Sequence, residues 1–256
     1  MQIDKQMKVN TLDIKYLFVN LPIHGILTTT KFWLNRNIHD NELIKQTLHI
    51  LEIIMKHNYF LYNQRFLQPD KGIAMGSPVS STMAEVYLQY IEETYLKQWL
   101  ENKKIVYYKH YVDDILIIYD QNKTNKQTVL EEIYKIDQNL QFKISTEENN
   151  TINYLDITIH RNNNNVDISI YRKPTGTDTT IQFSSNHPYE HKIAAFKYYI
   201  HRMLTLPITE ESKQEEWKTI ITMAKNNGYP IGIINDLRTK LISRKHQQHP
   251  PPHNSI

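Results

Sequence analysis

The 256-residue chain contains no cysteine, which excludes a disulfide scaffold, a thiolate zinc site, an iron–sulfur cluster and a cysteine nucleophile together. Long apolar runs are also missing. Ile115 to Tyr119 is among the longest, far below the roughly 20 residues that a membrane-spanning helix needs. The opening MQIDKQMKVN has no apolar signal-peptide core, so no membrane partner is expected and an intracellular setting fits best. Neither a heptad array nor a collagen-like repeat is visible. Glycine is scarce, six residues in all, which makes the pairs Gly72/Gly76 and Gly228/Gly232 informative. What is present is a globular composition, 40% hydrophobic and 11% aromatic, with enough length for a sizeable core. The net charge of +3 is too mild to name a partner. Its placement is uneven, because residues 237 to 256 carry Arg238, Lys240, Arg244 and Lys245 with no acid and end in HQQHPPPHNSI.

Periodicity organises the chain into an α+β body and a helical C-terminal part. Val9 to Ile14 reads as a strand, Asn41 to His57 and Val79 to Leu100 as amphipathic helices, and Tyr59 to Leu67 as a hairpin around Asn63-Gln64. Ile105 to Tyr108 and Ile115 to Tyr119 form a second hairpin. A helix over Lys126 to Asn139 and strands over Gln141 to Ser145, Asn153 to His160 and Val166 to Arg172 follow. Helical spacing then runs near 188–204, 210–226 and 231–244, with the change of pattern between 175 and 186.

The second hairpin carries Asp113 and Asp114 at its turn. Adjacent aspartates between apolar strands repel one another and resist desolvation, and a divalent cation offsets both penalties. Asp13, between Leu12 and Ile14 at a strand end, is a third acid in a like setting, and three carboxylates suit magnesium. A Gly-Ile-Ala-Met-Gly-Ser-Pro loop at Gly72 to Pro78 leads into the helix that follows. Glycines there let backbone approach a ligand closely, although such a loop is also an ordinary helix start. The twelve histidines and the abundant tyrosines read as packed or solvated side chains.

At these residues the chain resembles a reverse transcriptase, specifically of the Penelope-like retroelement class. LDIKYLFVNLP (Leu12 to Pro22) corresponds to motif A, GIAMGSPVSSTMAE (Gly72 to Glu85) to motif B and YVDD (Tyr111 to Asp114) to motif C. The strand YLDITIHR (Tyr154 to Arg161) matches as well, and YRKPTGTD (Tyr171 to Asp178) is similar to the primer-grip region. The same class resembles telomerase catalytic subunits in its palm.

The resemblance implies a right-hand polymerase palm, an antiparallel sheet backed by helices, over residues 1–180 and a helical thumb-like region over 181–245, while the low-complexity composition of 246–256 reads as a disordered tail. It implies RNA-directed DNA polymerase activity with Mg2+, or Mn2+ as its substitute, on an RNA template, a DNA primer and deoxynucleoside triphosphates, in the nucleus of a eukaryotic host. Asp13 and Asp113, with the Ile14 carbonyl, are expected to hold the metal ions, and Asp114 is the supporting acid. Phe18, five residues after Asp13, would exclude the 2′-hydroxyl of a ribonucleotide. Met75 and Gly76 would lie at the incoming nucleotide and Ser77 against the template, while Arg172 and Lys173 would face the primer backbone. Lys143 is a candidate general acid. Motif A starts at residue 12, so the fingers motifs are expected to be missing upstream and the chain alone to polymerise poorly. A catalytically silent nucleic-acid-binding remnant is the alternative. An RNA-templated RNA polymerase shares the palm, and Phe18 argues against it.

Overall fold

In a computed structural model, residues 4, 6–102, 105–162 and 165–248 are described. The chain divides into two compact units, Ile3–Ile152 and Asn153–Ile256.

The first unit is built on a four-stranded antiparallel sheet. Its strands are β1 (Met7–Lys15), β4 (Ile105–Tyr111), β5 (Asp114–Asp120) and β6 (Gln141–Thr146), in the order β4-β5-β1-β6. Apolar residues of β5 are buried from Ile115 to Tyr119, as befits a strand flanked on both edges. Helices α1 (Leu17–Asn20), α2 (Ile23–Asn37), α3 (Asn41–Lys56), α4 (Ser80–Ile91), α5 (Lys97–Glu101) and α6 (Lys126–Ile136) complete the unit, with the short ribbon β2 (Phe60–Tyr62) and β3 (Arg65–Leu67) between α3 and α4. Leu12, Ile14, Ile115 and Ile117 of the sheet share one core with Ile26 of α2, Leu51 and Met55 of α3, Ala84, Tyr87 and Leu88 of α4 and Val129 of α6.

The long helix expected from Val79 to Leu100 is interrupted. A π-helical turn over Glu92–Leu96 separates α4 from α5, and such turns re-phase the faces on either side. The helix also begins at Ser80, two residues beyond Pro78. α2 was not expected. Its run Thr28-Thr29-Thr30 is β-branched and its apolar stripe is weak, so packing supplies what periodicity does not: Gly25 lets Tyr87 approach, and Trp33 Nε1 donates to the Val86 carbonyl at 3.3 Å. The hairpin turn at Asn63-Gln64 has positive φ at both positions, the demand of a type I′ turn that asparagine meets readily.

In the second unit, β7 (Thr151–Tyr154), β8 (Ile157–Asn162) and β9 (Asn165–Ile170) form a three-stranded sheet, and α7 (Tyr189–Thr205), α8 (Glu210–Asn226) and α9 (Ile231–Gln248) form a helical cluster. The single strand expected from Asn153 to His160 is broken at Leu155, which has φ 53°. The division of units falls within β7 and not near residue 180, because Ile168 and Ile170 of β9 pack on the helical core around Phe196, Ile200, Ile220 and Ile234. Of the expected tail, residues 249–256 lie outside the described residues, and 246–248 belong to α9.

Gly72 fixes the loop before α4. Its φ is +81°, and a Cβ there would lie 2.5 Å from the Val19 carbonyl and 2.7 Å from that of Phe18. Gly72→Ala should therefore cost at least about 1–3 kcal/mol of stability in urea denaturation, while Gly76→Ala, which meets no atom within 4 Å, should cost little.

Candidate active site

Strand register assembles the site. Asp13 of β1 is the direct cross-strand partner of Asp114 on β5 and of Lys143 on β6, and Asp114 in turn faces Tyr111 on β4. Side chains alternate along a strand, so Tyr111, Asp114, Asp13 and Lys143 form one row across four strands on one face of the sheet. The neighbouring row, His110, Ile115, Leu12 and Ile144, lies on the face toward the core. The sequence distance of 100 residues between Asp13 and the acidic turn thus closes to a cross-strand spacing of about 4.5–5.5 Å between Cα atoms.

Asp113 sits at the turn joining β4 to β5. Its carbonyl accepts the Ile14 N–H at 2.8 Å, tying the turn to the residue after Asp13. N–H and C=O of one antiparallel strand residue point to the same side, so the Ile14 carbonyl is also directed toward the acidic turn. Val112, the first central residue of this turn, has φ 55°, and Asp113 does not share the positive sign. A β-branched residue in that region is strained by about 1–3 kcal/mol, a burden that functional turns commonly carry. Tyr16, just after β1, is likewise left-handed at φ 54° and largely exposed.

Asp13 and Asp113 are exposed and, among the described residues, form no ion pair. Like charges directly opposite on a sheet destabilise it by a few tenths of a kcal/mol to about 1 kcal/mol, and Lys143 is a cation in register with Asp13. Hard carboxylates at one end of one sheet suit a divalent cation in donor chemistry. Their side chains are not drawn together, however: among the described residues no group of three His, Cys, Asp or Glu is gathered closely enough to hold a metal ion.

The glycine loop reaches the same corner. Ile73 N–H donates to the Phe18 carbonyl at 2.8 Å, and Ile73 is buried beside α1. Phe18 is half-buried against the main core. Met75 is 67% exposed, Gly76 opens onto free space and Ser77 is half-buried, its N–H bonded to the Ala74 carbonyl. Arg172 and Lys173 belong to the second unit. Arg172 donates to Glu216 and stacks on the Tyr199 ring 5.1 Å away, which leaves 29% of its side chain exposed, whereas Lys173 is exposed.

His110 was missed by sequence reading. On the core face of the sheet, its Nε2 meets Glu85 of α4 at 3.0 Å and its Nδ1 meets Glu92 of the π-helical turn. Glu85 and Glu92 stand seven residues apart, on one face of a helical path, which is the signal that could have located the pair. Hydrogen bonding to Glu92, then to Glu85, outweighs burial and raises the imidazolium pKa to about 9. The same contact holds the Glu85 carboxyl below its ordinary value. α4 therefore carries the glycine loop at one end and clamps the acidic hairpin from behind.

Comparison with known structures places the fold. The chain is similar to telomerase from Candida albicans in complex with a TWJ fragment of telomeric RNA, with TM-score 0.55 and 11% identity over 94% of this chain and 41% of that one. It is similar to apo telomerase from Candida tropicalis, with TM-score 0.51 and 13% identity over 95% and 47% of the two chains. The Sicinivirus 3Dpol RNA-dependent RNA polymerase gives TM-score 0.53 and 12% identity over 93% and 51%. This chain thus spans about half or less of these structural relatives. The shared fold is the polymerase palm with its antiparallel sheet and helical backing. Residues 2–158, more than half of the chain, match the family of reverse transcriptases (RNA-dependent DNA polymerases), and the chain belongs to that family. Residues 179–239, covering α7, α8 and the start of α9, match the animal helix-turn-helix domain, which sequence reading did not anticipate. No curated protein sequence matches the chain. Among the described residues, no helix is long and apolar enough to cross a membrane.

The clamp has a pH signature. Because the folded-state pKa of His110 lies above the ordinary histidine value near 6.5, the clamp contributes fully below that pH and is lost as pH rises through about 9. Urea denaturation should show stability falling by about 1–2 kcal/mol across this window, less than the full shift because solvent screens the pair, and His110→Gln should flatten the profile.

Proposed function

We propose that the chain is the catalytic palm of an RNA-directed DNA polymerase from a retroelement of the Penelope-like class. The observation that carries the reading is the register that sets Asp13 opposite Asp114 while the Ile14 N–H holds the Asp113 carbonyl. The five segments in family order support the Penelope-like assignment, and the match of residues 179–239 to a domain of animal proteins supports a eukaryotic host and a nuclear setting.

Asp13, Asp113 and the Ile14 carbonyl are the donors that would hold Mg2+, or Mn2+ in its place, once the exposed carboxylates draw together. Divalent ions there would supply activation of the primer 3′-hydroxyl and neutralise charge on the triphosphate. Asp114, opposite Asp13 in the strand register, is the supporting acid. Lys143 Nζ, on the same row, is the proton donor proposed for the departing pyrophosphate oxygen. Gly76, without a side chain and facing open space, admits the nascent base pair beside Met75 and Ser77. Phe18, half-buried against the core, is the residue proposed to occupy the volume that a 2′-hydroxyl would need. Lys173 and the exposed part of Arg172 contact the primer backbone without reading sequence.

The test is Mg2+-dependent deoxynucleotide incorporation on a primed RNA template. Asp113→Asn should lower incorporation at least about a hundredfold with the fold intact. Primer-template binding that persists without incorporation, in the unmodified chain as in the variant, would assign the molecule to the alternative, a catalytically silent binding remnant. Phe18→Ala should raise ribonucleotide incorporation relative to deoxynucleotide by about tenfold or more; an unchanged ratio removes the steric role.

A further inference from the structure

The second unit holds a cleft of about 790 Å³ between the end of α7, the first half of α8 and the last half of α9. That volume lies within the range of sites for small ligands, roughly 300–1,000 Å³. Its charged lining is strongly one-sided: Lys213, Lys218, Arg238 and Lys245 against Glu210. Two of these cations are occupied. Lys213 bonds Glu210, and Lys245 caps the Leu204 carbonyl near the end of α7. Among the described residues, Lys218 and Arg238 form no ion pair, and the Arg238 Nε is buried without a hydrogen-bond partner. Arg238 lies over the Trp217 ring, with the guanidinium carbon 4.5 Å from the ring centroid.

We infer that this cleft binds one or two unpaired nucleotides of a single-stranded nucleic acid. Arg238 and Lys218 take the phosphates, and Trp217, already paired with a guanidinium plane, provides the wall for a base. Aromatic and guanidinium planes hold bases of any sequence, and cations along the same groove hold the backbone. Reading of duplex DNA uses a convex helix pushed into a groove, so a concave cleft among three helices suits an unpaired strand. The choice of nucleic acid over an acidic peptide rests on membership of the reverse transcriptase family and not on the catalytic reading.

The full chain is titrated with a short fluorescent oligoadenylate by anisotropy, in EDTA so that metal-held nucleotide at the acidic site does not contribute. Arg238→Gln and Lys218→Gln should each weaken binding about tenfold and make the log–log salt slope shallower by about 0.7 per lost contact. Trp217→Leu should weaken it about tenfold or more, with Trp217→Phe retaining most of the affinity. Circular dichroism melting checks the fold; should Arg238→Gln or Trp217→Leu unfold the unit, exposed Lys218 still carries the test. Binding is read in EDTA with no nucleotide incorporation, so failure of the polymerase reading would not touch this one. Affinity and salt slope unmoved by Arg238→Gln and Lys218→Gln would overturn the inference, as would a duplex or a polyglutamate peptide binding as tightly through the same residues.

Discussion

The molecule depends on the placement of β1 between β5 and β6. One register decides that Asp13 meets Asp114 and Lys143 on the open face while Leu12 meets Ile115 and Ile144 on the core face. The first row concentrates charge where a sheet would be more stable without it. The second row, with Leu12 and Ile115 buried, anchors the strands that hold that charge. The charged row and the buried row thus occupy opposite faces of the same strands.

The core face carries one more device. His110, one residue before the YVDD turn, is held as an imidazolium between Glu85 and Glu92, so the hairpin is fastened to α4 and to the π-helical turn. The N-terminal end of α4 leads back through Ser77 and Gly76 to Ile73, which bonds the Phe18 carbonyl. Motifs far apart in sequence are joined by two hydrogen-bonded contacts, one before the helix and one near its end. The seven-residue spacing along α4 brings Glu92, where the π-helical turn begins, to the same imidazole that Glu85 reaches.

Much of this was readable in the residues. The strand at Val9 to Ile14, the acidic hairpin and the helices α3, α7, α8 and α9 follow from apolar period and turn chemistry, and YVDD with GIAMGSP marked the candidate site. What escaped is instructive in physical terms. α2 escaped because its Thr run speaks for strand while its contacts with α4 decide otherwise. The break at Leu155 escaped because a non-glycine residue with positive φ carries no composition signal. Arg172 read as a cation for a phosphate backbone, and its partner Glu216, buried 44 positions away, is a tertiary fact. The same holds for His110, whose two acids lie 25 and 18 positions upstream in sequence.

The pairing of β1 has a consequence for how such a chain tolerates genetic change. Replacing one branched apolar residue of β5 by another leaves the alternation intact. Inserting or deleting a single residue between Val9 and Asp13 inverts it, carrying Asp13 toward the packed face and Leu12 or Ile14 into water. For this sheet, therefore, a one-codon length change is a more severe lesion than most single substitutions, and lineages that keep the fold are expected to vary these strands in composition while holding their length.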